Sequence, residues 1–262
     1  MNNILYTGTS GQGPDLILLH GLFGQGGNLR SVARALETDF CVHCLDLPDH
    51  GRSPWLAEAS LATYAAAVGL WMDQHELMAA HILGHSLGGK VAMELALTEP
   101  GRVDTLVVAD MAPVTYAEHH QVILDALQQV AARGCQTRAE AGALLGEIID
   151  DPGILGYLLM SLERGADGEV YQWRFNLAGL AVAYGRLREA PSPSEAAPFQ
   201  GRTLFLKGSE SAYIQASHEQ EIERRFPSSQ LVTVHEAGHW LHIDQPEQFN
   251  DAVRGFLLAE AG

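Results

Sequence analysis

The stretch "HILGHSLGGKVAMELAL", residues 81–97, places a serine between a short apolar run and a longer helical pattern. The residues before the serine predict a buried strand, and those from Leu87 onward predict a helix. Ser86 therefore stands at a sharp strand-to-helix turn, in the pattern G-x-S-x-G that Gly84 and Gly88 complete. This context is typical of a nucleophile elbow, in which small neighbours let the serine approach sheet and helix together. We interpret Ser86 as a candidate nucleophile.

The same stretch partly matches a nucleotide-binding loop. Residues 84–90 fit G-x-x-x-x-G-K, but Val91 stands where such a loop requires Ser or Thr to hold magnesium. We therefore reject that interpretation and expect Lys90 to be a cation at the surface or close behind the serine.

Short apolar runs alternate with longer helical patterns, which predicts β-α-β units and a mostly parallel sheet flanked by helices. The predicted strands cover residues 15–20, 40–46, 81–86, 102–110, 201–208 and 228–236. Residues 111–200 break this alternation, because they show helical patterns throughout and close with the proline-rich segment 190–198. We predict an α/β core formed by residues 1–110 and 199–262, with a helical cap inserted at 111–198.

Length and charge restrict the partners of the protein. The chain has 262 residues, a length that single α/β domains commonly reach, and its formal net charge is −16. Such acidity disfavours nucleic acids and anionic membranes, which both bind basic patches. No apolar run approaches the roughly 18 residues of a membrane-spanning helix, and the first residues lack the pattern of a signal peptide. We expect a cytoplasmic protein without membrane insertion, whose oligomeric state the sequence leaves open.

The segment "CVHC", residues 41–44, imitates a C-x-x-C redox or zinc motif. It lies on a predicted strand, where positions three apart point to opposite faces, so Cys41 and Cys44 are not expected to share a metal or a disulfide. With Cys135 the chain has an odd number of cysteines, which also favours reduced thiols.

A glycine-rich loop, "HGLFGQGGN" at residues 20–28, follows the first predicted core strand. Such a loop can bring a backbone N–H close to a substrate without obstruction by side chains. We predict an oxyanion hole formed by the N–H groups of Leu22 and Leu87, with Phe23 as the neighbouring candidate for the first donor. His20 and His85 are expected to hydrogen-bond their own loops.

The segment "VTVHEAGHWLH", residues 232–242, contains H-E-x-x-H, the zinc-protease pattern. Zinc binding by this pattern requires a helix, whereas His235 ends a strand-like run and Gly238 directly precedes His239. The chain order serine, acid, histidine instead predicts that His239, on a loop after the last strand, is the general base. His242 is a weaker alternative, and His235 is expected to cap the strand. No metal site is predicted.

The elbow, the "HG" loop and "AGHWLHIDQP" (237–246) resemble the α/β-hydrolase superfamily over essentially the whole chain, and "GHSLGGK", "ADMAPVTY", "WRFN" and "GHWLH" resemble the small bacterial YbfF-type esterases. In many α/β-hydrolases the catalytic acid follows the strand after the cap, where this chain has Ser211, and serine cannot stabilise an imidazolium. The YbfF-type esterases take the acid from an earlier strand, so the resemblance implies Asp110. Glu210 remains an alternative, because Asp or Glu can fill the role.

The resemblance implies a serine hydrolase that cleaves carboxylic esters, or acyl thioesters, through an acyl-enzyme and without a cofactor. The expected partner is a small acyl ester, with substrate contacts from Phe23, Trp173, Arg174 and Trp240. Arg174 could bind a carboxylate or a phosphate of a thioester substrate, or could pair with a surface acid. Two alternatives remain open: a lyase or carbon–carbon hydrolase with the same triad, and a non-catalytic ligand-binding homologue.

Overall fold

The computed structural model describes residues 5–165, 168–191 and 197–259. Its centre is a seven-stranded sheet formed by β1 (Thr7–Ser10), β2 (Asp15–Leu19), β3 (Cys41–Leu45), β4 (Ala80–His85), β5 (Val103–Ala109), β8 (Arg202–Gly208) and β9 (Ser229–Val234). The strand order is β1-β3-β2-β4-β5-β8-β9, and the strands are parallel except for β1 at one edge. The predicted mostly parallel α/β fold is confirmed.

Helices cover both faces of the sheet. They are α1 (Arg30–Leu36), α2 (Leu61–Gln74), α3 (Leu87–Thr98), α4 (Gln121–Arg133), α5 (Arg138–Gly146), α6 (Pro152–Met160), α7 (Leu177–Leu187), α8 (Ala216–Arg225), α9 (Leu241–Asp244) and α10 (Pro246–Leu258). In β2, Leu16 and Leu18 pack into the cluster that contains α1 and α10, while Ile17 and Leu19 pack into the cluster on the opposite face. Both faces of the strand are buried, which explains why it is a continuous apolar run.

The interval 111–198, here called the cap segment, contains α4 to α7, and it also contains a small antiparallel hairpin of β6 (Leu162–Arg164) and β7 (Tyr171–Trp173). The prediction of a helical segment throughout was therefore wrong. Strands of three residues are too short to produce an alternating pattern that a sequence window can recognise. The edge strand β1 was also missed, because its threonines, glycine and serine carry no apolar pattern. The division into core and cap stays a prediction.

The parallel strands all end at one edge of the sheet, so the residues that follow them lie close together. Ser86 follows β4, Asp110 follows β5, and the turn at 209–211 follows β8. This edge is therefore the place where residues distant in sequence can form a site. Among the described residues, no helix combines the length and apolarity needed to cross a membrane.

Candidate active site

Ser86 occupies a strained position between β4 and α3, with φ 55° and ψ −117°. A Cβ atom on Gly84 would lie 2.2 Å from the carbonyl oxygen of Gly88, and one on Gly88 would lie 2.1 Å from that of Leu19. Both glycines are therefore required by close backbone packing on the two sides of the turn. The turn is tied to β5 by a hydrogen bond from the Ser86 N–H to the carbonyl oxygen of Ala109, with an N–O distance of 3.2 Å.

Asp110 is fully buried at the end of β5, with a positive φ of 50°. Its Oδ2 accepts a hydrogen bond from Nδ1 of His239 at 2.8 Å and another from Oγ of Ser211. Its Oδ1 faces the N–H of Gly208 at 3.2 Å. Three donors thus converge on one buried carboxylate, which compensates the loss of its hydration. Ser211, at the position where many α/β-hydrolases carry the acid, donates to Asp110 here.

His239 lies in the loop between β9 and α9, and residues 235–239 form a turn rather than a helix. Because Nδ1 donates to Asp110, Nε2 is left as the acceptor of the neutral ring. The ring stacks on Tyr213 with a centroid distance of 3.9 Å and an interplanar angle of 17°. His85 Nε2 lies 2.8 Å from the carbonyl oxygen of His239, so both the ring and the backbone of His239 are held.

His239 and Ser86 line the same cavity. The two side chains are not hydrogen-bonded to each other in the described part of the chain, and catalytic hydrogen bonds often tighten only when substrate is bound.

The other candidates for base and acid occupy different surroundings. His235 is exposed at the end of β9, and Glu210 is exposed, with its N–H donated to the carbonyl oxygen of Ala237. His242 is buried against His85 and Phe249, where burial lowers its pKa to about 4. The structure brings none of these three side chains to the hydrogen bond that Asp110 and His239 share.

The glycine-rich loop after β2 presents its backbone towards the serine. In the described residues, the N–H groups of Leu22 and Leu87 have no hydrogen-bond partner, whereas the N–H of Phe23 donates to Nε2 of His50 at 3.1 Å. The structure thus leaves Leu22 and Leu87 available as a donor pair and does not leave Phe23 available. The hydroxyl of Tyr157, from the cap segment, lies 3.2 and 3.1 Å from the carbonyl oxygens of Gly21 and Leu22 and fixes the loop.

Two cavities meet at Ser86. The narrow cavity has a volume of about 50 Å³ and is lined by Leu22, Ser86, Leu87, Lys90, Met111, Tyr116, Ala117, His119, His120, Tyr184, Leu187, Arg188 and Tyr213. The wide cavity has a volume of about 160 Å³ and is lined by Gly21, Leu22, Phe23, His85, Ser86, His120, Ile123, Ile154, Tyr157, Leu158, Tyr213, His239 and Trp240. The two cavities share Leu22, Ser86, His120 and Tyr213 and form two arms that meet at the serine, and His239 lines only the wide one.

The predicted substrate-binding residues separate into two groups. Phe23 and Trp240 line the wide cavity. Trp173 does not fit the role, because it is 8% exposed, stacks on Phe175 and donates its indole N–H to the carbonyl oxygen of Leu127 within the cap segment.

Arg174 also lies away from Ser86. Its Nε is 2.5 Å from Oε2 of Glu163, and it lines a separate polar cavity of about 530 Å³ beyond the glycine-rich loop. The ion pair is the second of the two alternatives that the sequence left open for this arginine. The β6–β7 hairpin directs the side chains of both Trp173 and Arg174. This hairpin was not predicted from the sequence.

Lys90 is buried, which excludes the surface, the first of the two places that the sequence left open for this cation. Its Nζ donates to the carbonyl oxygens of Val114, Arg188 and Glu189, at the two ends of the cap segment. Burial lowers its pKa to about 7. The lysine therefore joins α3 to both connections of the cap segment.

Three residues near the site were missed by sequence reasoning. They are His120, Tyr157 and Tyr213, and none belongs to a recognisable motif. His120 lies where the two cavities meet, with Nδ1 3.0 Å from the hydroxyl of Tyr184, and burial lowers its pKa to about 4. It is therefore a neutral imidazole at neutral pH.

A comparison with known protein families agrees with this geometry. The model of the alpha/beta hydrolase family matches residues 16–252. The chain therefore belongs to the α/β-hydrolase family.

Several relatives are similar over nearly the whole chain. The mouse protein named sn-1-specific diacylglycerol lipase ABHD11 is 38% identical, with 93% of this chain and 81% of the relative covered. The esterase YbfF of Escherichia coli K12 is 31% identical, with 92% of each chain covered. A solved structure, a marine microorganism esterase, is 34% identical with a TM-score of 0.93, covering 97% of this chain and all of that one. The predicted resemblance to YbfF-type esterases is confirmed.

Proposed function

We propose that the protein hydrolyses carboxylic esters through an acyl-enzyme formed on Ser86, with His239 as general base and Asp110 as its acid partner. The protein is a carboxylic-ester hydrolase by its relatives, several of which are named esterases or lipases. The observation that carries the finer proposal is the 2.8 Å hydrogen bond between buried Asp110 and His239, whose ring lines one cavity with Ser86.

In the proposed reaction, His239 Nε2 takes the proton of the Ser86 hydroxyl while the oxygen attacks the ester carbonyl. Asp110 keeps the proton on Nδ1, so that Nε2 remains the acceptor, and it stabilises the imidazolium that forms. The imidazolium then protonates the leaving oxygen as the carbon–oxygen bond breaks. Water repeats the sequence on the acyl-enzyme, releasing the acid and restoring the serine.

The negative charge on the tetrahedral oxygen is assigned to the amides of Leu22 and Leu87. Each is an unpartnered donor among the described residues, and the second belongs to the first turn of α3, where the helix dipole adds positive potential. A preorganised donor of this kind lowers the barrier by about 2.7–4 kcal/mol. Tyr157, which binds the carbonyl oxygens of the same loop, would hold the first donor in place.

The two cavities receive the two halves of the ester in the proposal. The leaving oxygen must reach His239 Nε2, so the alcohol half belongs in the cavity that His239 lines, the wide one. The acyl half then occupies the narrow cavity, which Ser86 lines and His239 does not. A cavity of about 50 Å³ holds a few atoms of the size of water, which favours short acyl chains.

An ester is preferred to a thioester as the substrate. The sequence argument for a phosphate-bearing thioester rests on Arg174, and this residue is paired with Glu163 and lines a different cavity. The wide cavity is lined instead by aromatic and aliphatic side chains such as Phe23, Tyr157 and Trp240, which suit an uncharged alcohol.

The test is hydrolysis of p-nitrophenyl esters of increasing acyl length by the wild type and by Ser86→Ala. The account predicts that the wild type prefers the shortest acyl chains and that Ser86→Ala loses about 10⁶-fold in kcat. Leu187→Ala, which enlarges the narrow cavity, should shift the preference towards longer acyl chains, whereas Trp240→Ala in the wide cavity should not. Turnover by Ser86→Ala at the wild-type rate would exclude the acyl-enzyme. A shift caused by Trp240→Ala alone would reverse the assignment of the two arms.

A further inference from the structure

Three metal-ligating side chains meet at the opposite end of the sheet from Ser86. Asp15 and Cys41 are the first residues of β2 and β3 and lie opposite each other in the parallel register. His43 follows two residues after Cys41, so its side chain lies on the same face of the strand. One ligand atom from each side chain lies within 4.8 Å of the others, and His43 Nε2 is 2.7 Å from Oδ1 of Asp15.

His43 is held in the orientation that a metal ligand requires. Its Nδ1 is 3.1 Å from the hydroxyl oxygen of Thr9 on β1, and its ring meets Trp71 edge to face with a centroid distance of 5.2 Å. Metal-binding histidines usually donate their second ring N–H to such a partner, which fixes the tautomer and directs the other nitrogen at the ion. Here Thr9 is the partner of Nδ1, and Nε2 is directed at Asp15. The cluster therefore contains both the metal ligands and the residue that would orient the histidine.

We propose that Asp15, Cys41 and His43 bind one divalent transition-metal ion of the zinc class. A thiolate, an imidazole and a carboxylate are the donor types that Zn²⁺ takes in tetrahedral sites, and water would complete the fourth position. On binding, a sulfur–metal bond replaces the S–H bond of Cys41 and its proton passes to solvent. His43 Nε2, which donates to Asp15 in the metal-free protein, gives up that proton to bind the ion, and the ring then carries its one proton on Nδ1, where the Thr9 hydroxyl accepts it.

An ion can reach the proposed metal site, and this site lies apart from the candidate active site at Ser86. The side chain of Asp15 is 31% exposed and Cys41 is half-buried, so the cluster is open to solvent. Asp15 and Cys41 begin their strands, whereas Ser86 follows the carboxyl end of β4. The ion would therefore join two neighbouring strands, β2 and β3, with β1 supporting the histidine.

A reactive thiol is the competing interpretation of the same cluster. Both interpretations need the thiolate form of the cysteine, but only a bound metal ion makes Asp15 and His43 ligands alongside the same sulfur. Cys44 provides a matched control, because it lies on the same strand but not in this cluster.

The experiment is titration of the chelator-treated full chain with Co²⁺, a spectroscopic substitute for Zn²⁺, followed by displacement with Zn²⁺. The expected result is one ion per chain, with thiolate-to-metal charge-transfer absorption that Zn²⁺ abolishes. Cys41→Ser should remove this absorption and weaken binding at least about tenfold, while Cys44→Ser should retain both. Thr9→Val should keep the absorption and lower the affinity by about 10–100-fold, as expected for a residue that orients a ligand.

Circular dichroism and ester hydrolysis, unchanged from the wild type, would establish that each variant is folded. If Cys41→Ser does not fold, Asp15→Asn replaces it and should weaken binding while retaining the thiolate absorption. The proposal is overturned if no thiolate absorption develops, or if Cys41→Ser binds Co²⁺ as the wild type does.

Discussion

Replacement of Asp110 by asparagine tests the proposed acid at the level of single hydrogen bonds. Oδ1 of Asp110 accepts from the N–H of Gly208, and Oδ2 accepts from both Ser211 and His239. An asparagine keeps one oxygen and replaces the other with an NH₂ group. Since the N–H of Gly208 cannot rotate, the amide oxygen should face it, and the NH₂ group should face His239.

The consequence is a change of tautomer. With NH₂ as its neighbour, Nδ1 of His239 must accept, so the proton moves to Nε2, which can then no longer take the proton of Ser86. A wrong tautomer of this kind lowers kcat by about 10⁴-fold, which corresponds to about 5 kcal/mol of barrier. The opposite amide orientation would set NH₂ against the N–H of Gly208, an unpaired arrangement that costs about 1–3 kcal/mol.

The assay is kcat/KM for p-nitrophenyl acetate with Asp110→Asn, Glu210→Gln and Ser211→Ala. Glu210→Gln should match the wild type, because this side chain is exposed. Ser211→Ala removes one of the hydrogen bonds to the carboxylate and should lose about tenfold, from a contribution of about 1.5 kcal/mol. The assignment would be refuted if Asp110→Asn lost less than tenfold in kcat/KM, or if Glu210→Gln lost more than Asp110→Asn does.

Moving the carboxylate provides a second check. Ser211 already reaches the carboxylate oxygen that holds His239, so Ser211→Asp combined with Asp110→Asn should recover at least about tenfold over Asp110→Asn alone. Equal activity of the single and double variants would show that position 211 cannot orient His239.

Further expectations follow from the same packing. Gly88→Ala, whose Cβ would meet Leu19, should destabilise the fold by about 1–3 kcal/mol in urea unfolding, whereas Gly27→Ala, with 3.9 Å to its nearest neighbour, should be close to neutral. Lys90→Met leaves three carbonyl oxygens without their buried donor and should destabilise the fold by about 1–3 kcal/mol; an unchanged unfolding midpoint would contradict this. Because the pKa of His242 falls from 6.5 to about 4 on folding, the unfolded chain binds the extra proton and stability is lost as pH decreases from 6.5 towards 4. His242→Leu should reduce this loss by roughly 3 kcal/mol, and identical pH profiles would contradict it.

The strand-to-helix serine was predictable because its constraints are local. Backbone packing within a few residues requires Gly84 and Gly88, and these residues are visible as a short pattern. His239 was also predictable, since Gly238 and the preceding strand-like run exclude the helix that zinc binding would need. Asp110 was not predictable from its neighbours, because its partner lies far along the chain, and its assignment depended on the family resemblance.

The residues that the sequence misplaced are positioned by tertiary structure. The side chains of Trp173 and Arg174 are directed by a hairpin whose strands have three residues each. Lys90 resembles a surface cation in sequence, and only the return of the chain at Arg188 and Glu189 supplies its acceptors. Tyr157 and Tyr213 reach the site from separate segments and carry no local pattern.

The central claim, an acyl-enzyme on Ser86, is tested most directly by intact-mass measurement of the protein quenched with acid during turnover of p-nitrophenyl acetate. The account predicts a fraction of chains heavier by one acetyl group, with the modification mapped to the peptide that contains Ser86 and absent in Ser86→Ala. Turnover with no acetyl adduct in either protein, or an adduct mapped to another residue, would contradict the account.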